Sequence, residues 1–404
     1  MMPRRHSNNQ GSPKIGPDHI VEPETYRLTA EAQNSNTDFR LVTHCNRVPY
    51  PSAGIVFSPY ASRSAQLSCG DRLHHASQRP PPHSRRRGTD QIPSPAAMAE
   101  RFDLQSRHGK SRVRVSRVWR RPAAAGGHLF VEWSVAVSVV SDCLPSYTSD
   151  DNSAIVATDS IKNTVYVKAK ECTEVVSMEE FAVILGRHFT SLYPQVSEAS
   201  VSIVERPWER VVVDGKPHSH GFKLGAEKHS TEVTVKKSGS LLINSGILGY
   251  SLLKTTQSGF EGFVRDRYTL LPETRERIVA TEVTAWWRYP FEHISQLPSK
   301  PFCFTQRYQD VKKVLADTFF GPPDVGVYSP SVQNTLYLMA KEVLTRFPDI
   351  SSVQLRMPNL HFLPVNLSGK ENPGLVKFAD DVYMPTDEPH GTIEATLSRA
   401  NSKL

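Results

Sequence analysis

The twelve residues LFVEWSVAVSVV, at positions 129–140, decide the fold class of this chain. Its apolar residues alternate with smaller or polar ones, in the order Val131, Trp133, Val135, Val137 and Val139. A period of two is typical of a strand with one buried face. A second alternating run at 113–119 precedes it across a turn at 123–128, which predicts a β-hairpin.

Working outward from this hairpin, the apolar period changes to that of a helix in three segments: 177–193, 309–319 and 332–347. Further alternating runs predict strands at 199–213, 231–237, 247–256, 280–289, 352–357 and 392–398. Each half of this region therefore has the order strand–strand, helix, strand–strand. We predict an α+β fold with two tandem modules, 98–238 and 239–404, each an antiparallel sheet with helices on one face.

The charge of the chain lies mainly in front of these modules. Its 404 residues carry a formal net charge of +7, and only 38% of them are apolar. Residues 1–97 hold 12 Lys and Arg against 7 Asp and Glu, with 12 of the 30 prolines, whereas the remainder holds 36 against 34. We interpret 1–97 as a disordered, basic and proline-rich extension, because such a composition buries too little apolar surface to fold.

Three interpretations of this extension were compared. The first is a transit peptide. Such peptides are poor in acidic residues, so the 7 Asp and Glu of 1–97 argue against it. A nucleic-acid-binding tail is the second, but its basic residues are scattered and have few aromatic neighbours. The third, which we favour, is a dispensable extension with Met98 as the usual start. The near-neutral body predicts no nucleic-acid partner, and no apolar run approaches the ~20 residues of a membrane span.

Several separated segments carry a resemblance to a known family. They are DNSAIVATDSIKNT (151–164), DGKPH (214–218), TQSGFEGF (256–263), ETRER (273–277), SVQ (331–333) and MPNLH (357–361). Together they resemble the urate oxidase (uricase) family over residues 104–404. The resemblance implies the tunnelling fold, in which subunit sheets join into barrels, and a homotetramer with sites at subunit interfaces.

The resemblance also implies the substrate-binding residues. Arg277 is a planar, permanently charged fork that grips one edge of a urate anion, and Gln333 offers a donor and an acceptor to another edge. Phe260 stacks on the ring. The remaining contacts implied are the backbone N–H groups of Val332 and Asp159, and the side chains of Thr158 and Asn359.

The reaction implied is oxidation of urate by O2 and water to 5-hydroxyisourate and H2O2, without metal or organic cofactor. The family assigns catalysis to Lys110, Thr158 and His361: Lys110 hydrogen-bonds Thr158, and His361 relays protons through water. A desolvated lysine beside a hydroxyl is a usable base. Asn359 with Thr158 holds O2 or the attacking water.

Two other function classes stay open at this point. A pterin-type cyclohydrolase or synthase on the same fold often uses a zinc-binding histidine set, whereas His218, His220 and His229 have no complementary cysteine or carboxylate at a typical spacing. A catalytically inactive purine-binding homologue is the second alternative. Phosphate-binding glycine motifs for nucleotide cofactors are absent from the sequence.

The chain ends in Ser402, Lys403 and Leu404. This tripeptide at a C-terminus is an address that the peroxisomal import receptor reads. We therefore expect the protein in the peroxisome, where an oxidase that releases H2O2 is in keeping with its surroundings.

Overall fold

The computed structural model describes residues 103–122, 126–297, 302–367 and 378–400. The predicted extension 1–97, Met98 and the terminal tripeptide 402–404 lie outside these ranges. Ten strands are β1 His108–Trp119, β2 Leu129–Ser141, β3 Val196–Arg206, β4 Trp208–Val213, β5 Lys216–Leu224, β6 Lys228–Lys236, β7 Leu241–Lys254, β8 Val279–Arg288, β9 Ser352–Pro364 and β10 Tyr383–Ser398. The α-helices are α1 Pro145–Thr148, α2 Thr158–Glu171, α3 Met178–Leu192, α4 Phe304–Phe320 and α5 Val332–Arg346, and a 3-10 turn spans Ile294–Gln296.

Eight strands form one antiparallel sheet in the order β1-β2-β3-β6-β7-β8-β9-β10, and β4 and β5 form a separate hairpin. The register joins one residue from each strand into a row across the whole sheet: Val113, Val135, Ile203, Thr231, Ser245, Trp287, Val353 and Leu397. Paired residues point to the same side of a sheet. Because all of this row except the partly buried Leu397 is buried, one face of the sheet is the core face.

The helices cover this core face. On α3 the fully buried Phe181 stacks on Trp133 of β2, with ring centroids 5.0 Å apart. Ser177 caps α3 by accepting from Glu180 N (3.1 Å), and the Glu180 side chain caps in return. On α4, the ring centroid of Tyr308 lies 6.4 Å from that of Trp287 on β8. The predicted α+β class, with an antiparallel sheet and helices on one face, is confirmed.

The opposite face of the sheet is polar in its centre. A shallow pocket of about 250 Å³ there is lined by both charged and uncharged side chains: Glu232, Asn244, Trp286, Arg288, Gln354 and Thr396. Helices on one side and polar groups on the other give the sheet two chemically distinct faces.

The two halves repeat the order strand–strand, two main helices, strand–strand. At the predicted junction, Gly239 has φ +90° in a tight turn, and Lys236 N donates to Ser240 O (2.9 Å). β6 and β7 therefore form a hairpin that makes the sheet continuous across the junction. The module boundary at 238/239 stays a prediction. None of the helices in the described ranges combines the length and the apolar character that a membrane crossing requires.

Three local predictions were wrong. The single strand expected at 199–213 is two strands, because Pro207 between them has no N–H for a ladder. Its carbonyl instead accepts from Gly225 N at 2.7 Å, which closes the β4–β5 hairpin. The chain is also helical over Thr158–Glu171, where no helix was predicted, and α4 begins at Phe304 rather than at 309.

Candidate active site

The long connection between β7 and β8 places Phe260 beside Arg277. Phe260 and Thr274 exchange two backbone hydrogen bonds, of 2.7 and 3.1 Å, and Arg277 N donates to Ser258 O at 2.9 Å. These bonds close the connection on itself. The guanidinium carbon of Arg277 then lies 5.4 Å from the centroid of the Phe260 ring, within cation–π distance.

Arg277 is a half-buried cation whose charge is not neutralised locally. Its Nε is buried and has no hydrogen-bond acceptor within the ranges that the structure describes. Burial lowers the pKa of Arg277, but an arginine keeps its proton in proteins. Two residues earlier, the exposed Arg275 instead pairs with Glu261 at 3.0 Å. A buried, unused donor on a half-buried cation suits an anionic ligand.

The N-terminus of α5 adjoins this pair. Ser258 and Ser329 form a β-bridge, and Gly259 N donates to Ser329 O at 3.0 Å. Ser331 then caps the helix by accepting from Asn334 N at 3.1 Å. Val332 is buried and Gln333 is exposed in the first helical turn, where backbone N–H groups have no partner inside the helix.

Asn359 and His361 lie at the same end of the sheet. They stand two residues apart on β9, so both side chains are on one face, and each is half-buried. Leu360 between them pairs with Ala280, three residues after Arg277. The pairing of β9 with β10 shifts register between the pair His361 and Thr386 and the pair Asn359 and Gly391.

The second group of predicted residues comes from β1 and α2. Lys110 borders a bulge in β1, where Arg112 has φ +58°. The Asp159 carboxylate accepts from Lys162 Nζ at 2.6 Å, and this bond is the main reason why its pKa is lowered, with a small contribution from the Lys110 charge. Ala157, the N-cap of α2, provides no side-chain cap. The N–H of Asp159 therefore belongs to an uncapped helix N-terminus, while the expected bond between Lys110 and Thr158 stays a prediction.

One chain keeps these two groups far apart. Five interstrand steps separate β1 from β8, or about 24 Å along the sheet at ~4.8 Å each. An odd number of antiparallel steps also makes the two strands run in opposite directions. Lys110 near the start of β1 and Arg277 just before β8 therefore lie at opposite ends of the strands. A single bicyclic purine cannot contact both groups of the same chain.

Comparisons with known proteins identify the family of the chain. The sequence model of the Uricase family matches residues 105–234 and 243–394 of the chain. The chain belongs to the uricase family. It is 66% identical over 309 residues to the uricase of Arabidopsis thaliana, covering 76% of this chain and 100% of that one.

More distant uricases match the same region. The uricase of Aspergillus flavus is 38% identical over 303 residues, covering 74% of this chain and 97% of its own. A crystal structure of the Arthrobacter globiformis uricase superposes with a TM-score of 0.65 at 32% identity, covering 75% of this chain and 96% of the bacterial one. The resemblance to the uricase family is confirmed, and with it the tunnelling fold.

The three histidines considered as zinc ligands lie in two separate parts of this uricase-family chain. His218 and His220 lie on β5 with ring centroids 6.2 Å apart, whereas His229 on β6 is buried beside Glu179, at 3.0 Å. The described ranges contain no cluster of three or more metal-binding side chains. Lys254, Ser329 and Thr335, which are hydrogen-bonded to one another and to the segment before Phe260, were not predicted from the sequence. The available signal was Lys254 itself, a lysine that ends an otherwise mainly apolar strand.

Proposed function

We propose that this chain oxidises urate by O2 and water to 5-hydroxyisourate and H2O2. One observation carries the proposal: a half-buried guanidinium, whose buried Nε donor has no acceptor among the described residues, is held 5.4 Å from the centroid of an aromatic ring. That arrangement suits a flat anion, which takes charge-assisted hydrogen bonds at its edge and stacking on its face. Membership of the uricase family selects urate among flat anions.

The binding roles that we propose are those that the resemblance implies, and the chemistry of each group suits its role. Arg277 donates to one edge of urate, and Gln333 with the Val332 N–H serves another. Phe260 covers one face of the ring, a contact worth ~1–3 kcal/mol by analogy with nucleic-acid bases on aromatic side chains. The uncapped N–H of Asp159 and the Thr158 hydroxyl donate from the α2 terminus.

We propose that a complete site needs two copies of the chain. The distance between the Lys110 group and the Arg277 group supports this assembly. Both outer strands, β1 and β10, have one unpaired edge in the described sheet, and closure into a barrel with a second copy removes such edges. The polar face of the sheet suits a water-filled barrel interior. The assembly we propose is a homotetramer with its sites at subunit interfaces.

The chemistry then requires proton transfer rather than a cofactor. Urate is an electron-rich anion, and its further deprotonation lets it give two electrons to O2, which takes two protons to become H2O2. Water adds the new hydroxyl to the purine, so atoms and charges balance. Lys110 with Thr158 removes the proton, His361 relays protons through water, and Asn359 holds O2 or water above the ring.

The test is direct. Purified full-length protein is mixed with urate in air-saturated buffer containing a metal chelator, and urate absorbance, O2 uptake and H2O2 are followed together. Equal molar changes in all three support the proposal. Urate binding without O2 uptake identifies an inactive purine-binding homologue instead. Stoichiometric zinc with no urate turnover favours a pterin-type enzyme, which the family comparisons do not support.

For its location in the cell, we propose the peroxisome. The support is the C-terminal Ser402-Lys403-Leu404 sequence, which the import receptor reads at a chain end. A fluorescent fusion at the N-terminus is expected in peroxisomes, and the same fusion lacking 402–404 is expected in the cytosol. Peroxisomal import of the shortened fusion would contradict this assignment.

A further inference from the structure

Lys254, the last residue of β7, makes three hydrogen bonds to uncharged groups. Its ammonium donates to Val327 O at 2.6 Å, Ser329 Oγ at 2.8 Å and Phe319 O at 3.3 Å. Among the described residues, no carboxylate forms an ion pair with it. Burial lowers its pKa. Two of the three bonds hold segment 327–329, and the third reaches the end of α4, so this half-buried lysine without a counter-charge fixes 327–329 against β7 and α4.

The central acceptor, Ser329, passes this contact on to helix α5. Thr335 Oγ1 donates to Ser329 Oγ at 2.8 Å and lies 3.0 Å from Ser331 O. Ser329 is 4% exposed and Thr335 is 5% exposed, so the bonds are shielded from water. Thr335 lies in the first turns of the helix, together with Val332 and Gln333. The bond from Thr335 to Ser329 therefore also fixes the position of Gln333.

The backbone of Ser329 reaches the other two ring contacts. Ser329 N donates to Gln257 O at 2.9 Å, and Gly259 N donates to Ser329 O at 3.0 Å. Phe260 is the next residue. Ser258, between these two bonds, accepts from Arg277 N at 2.9 Å. The buried Ser329 is therefore bonded to the segments that carry Phe260 and Gln333, and it is linked to Arg277 through Ser258.

We propose that Lys254 is a positioning residue for the purine site. It fixes segment 327–329, and through Ser329 it sets the spacing between the stacking ring, the guanidinium and the α5 terminus. It touches none of the reacting atoms. This inference rests on the proposed function, because it assigns these three contacts to the purine.

The kinetic consequence is specific. Phe260, Arg277 and Gln333 hold the purine in the ground state and in the transition state alike, so loosening them weakens both equally. Such a loss raises KM and leaves kcat nearly unchanged. A merely destabilised fold has the opposite signature, because fewer folded molecules lower the apparent kcat at unchanged KM.

The experiment compares full-length wild type with Lys254→Met, Lys254→Arg and a matched control. Lys313→Met removes an exposed lysine of α4 whose ion-pair partner among the described residues is Asp317, at 2.6 Å. For Lys254→Met we expect KM for urate to rise about tenfold, with kcat within about twofold. Lys254→Arg, which keeps a charged donor, restores most of the affinity, and Lys313→Met matches wild type.

Each outcome has one meaning. Unchanged KM in folded Lys254→Met, with wild type active, overturns the inference and leaves the proposed function intact. Wild type that does not oxidise urate refutes the proposed function itself. If Lys254→Met does not fold, Ser329→Ala replaces it, because it removes the shared acceptor while two lysine bonds remain. A KM rise of about threefold at constant kcat supports the inference there, and no rise overturns it.

Discussion

Replacement of Arg277 by Gln removes the charge that we assign to urate recognition. In the structure this guanidinium has a buried Nε without an acceptor and lies against Phe260. Two charge-assisted hydrogen bonds at ~1.5 kcal/mol each amount to about 3 kcal/mol. At 1.4 kcal/mol per factor of ten, kcat/KM for urate should fall about 100-fold. Arg277→Lys keeps the charge but not the fork, and we expect a loss of about tenfold.

The stability of the Arg277 variants provides an independent readout. A half-buried cation with an unsatisfied donor costs the folded state free energy, so its removal should leave the melting temperature unchanged or raise it. Initial rates from urate absorbance give kcat/KM, and thermal unfolding without urate gives the melting temperature. Arg275→Gln is the control, because Arg275 is exposed and its ion-pair partner within the described ranges is Glu261. A loss of kcat/KM below threefold in Arg277→Gln, or an equal loss in Arg275→Gln, would refute the assignment.

Three further predictions concern the fold and the extension. Phe181→Ala removes a fully buried ring stacked on Trp133 and should lower the free energy of unfolding by about 3 to 5 kcal/mol in urea titrations, whereas Phe181→Leu should cost less. Burial alone would raise the pKa of Glu179, but His229 at 3.0 Å and hydrogen bonds lower it overall. A lowered carboxyl pKa gives stability that is present above the ordinary value of 4.5 and is lost as pH falls through the folded pKa. Urea midpoints should therefore depend less on acid pH in Glu179→Gln, and an unchanged slope argues against this. A chain that starts at Met98 should match the kcat and KM of the full-length protein, and a loss of activity would reject a dispensable extension.

The regular part of the fold was predictable because its sequence periods are simple. The alternation at 129–140 predicted β2, and the helical spacing at 332–347 predicted α5, whose helix begins at Val332 and ends at Arg346. The prediction of one strand at 199–213 failed at Pro207. The apolar pattern continues through this residue, but a proline has no N–H to continue the interstrand hydrogen bonds. Helix α2 (Thr158–Glu171) was missed because its first residues, Thr158 to Ser160, are polar and exposed.

The site was predictable only through the joint occurrence of several motifs. Singly, Arg277 and Gln333 look like ordinary surface residues, and their proximity depends on backbone bonds of Ser258 and Ser329 that no periodicity encodes. The contacts of Lys254 could not be predicted either, because tertiary structure brings its three acceptors together. The separation of Lys110 from Arg277 follows from strand order, which local sequence does not determine.

Complementation between two inactive variants tests the central claim, a urate-oxidising site shared by two copies, most directly. Lys110→Met and Arg277→Gln are purified alone and after co-expression in equal amounts, and urate oxidation is measured per site. Each variant alone should be nearly inactive. In mixed oligomers about a quarter of the sites receive both wild-type residues, so about a quarter of wild-type activity should return. Activity of the mixed oligomers no higher than that of the single variants would contradict the account.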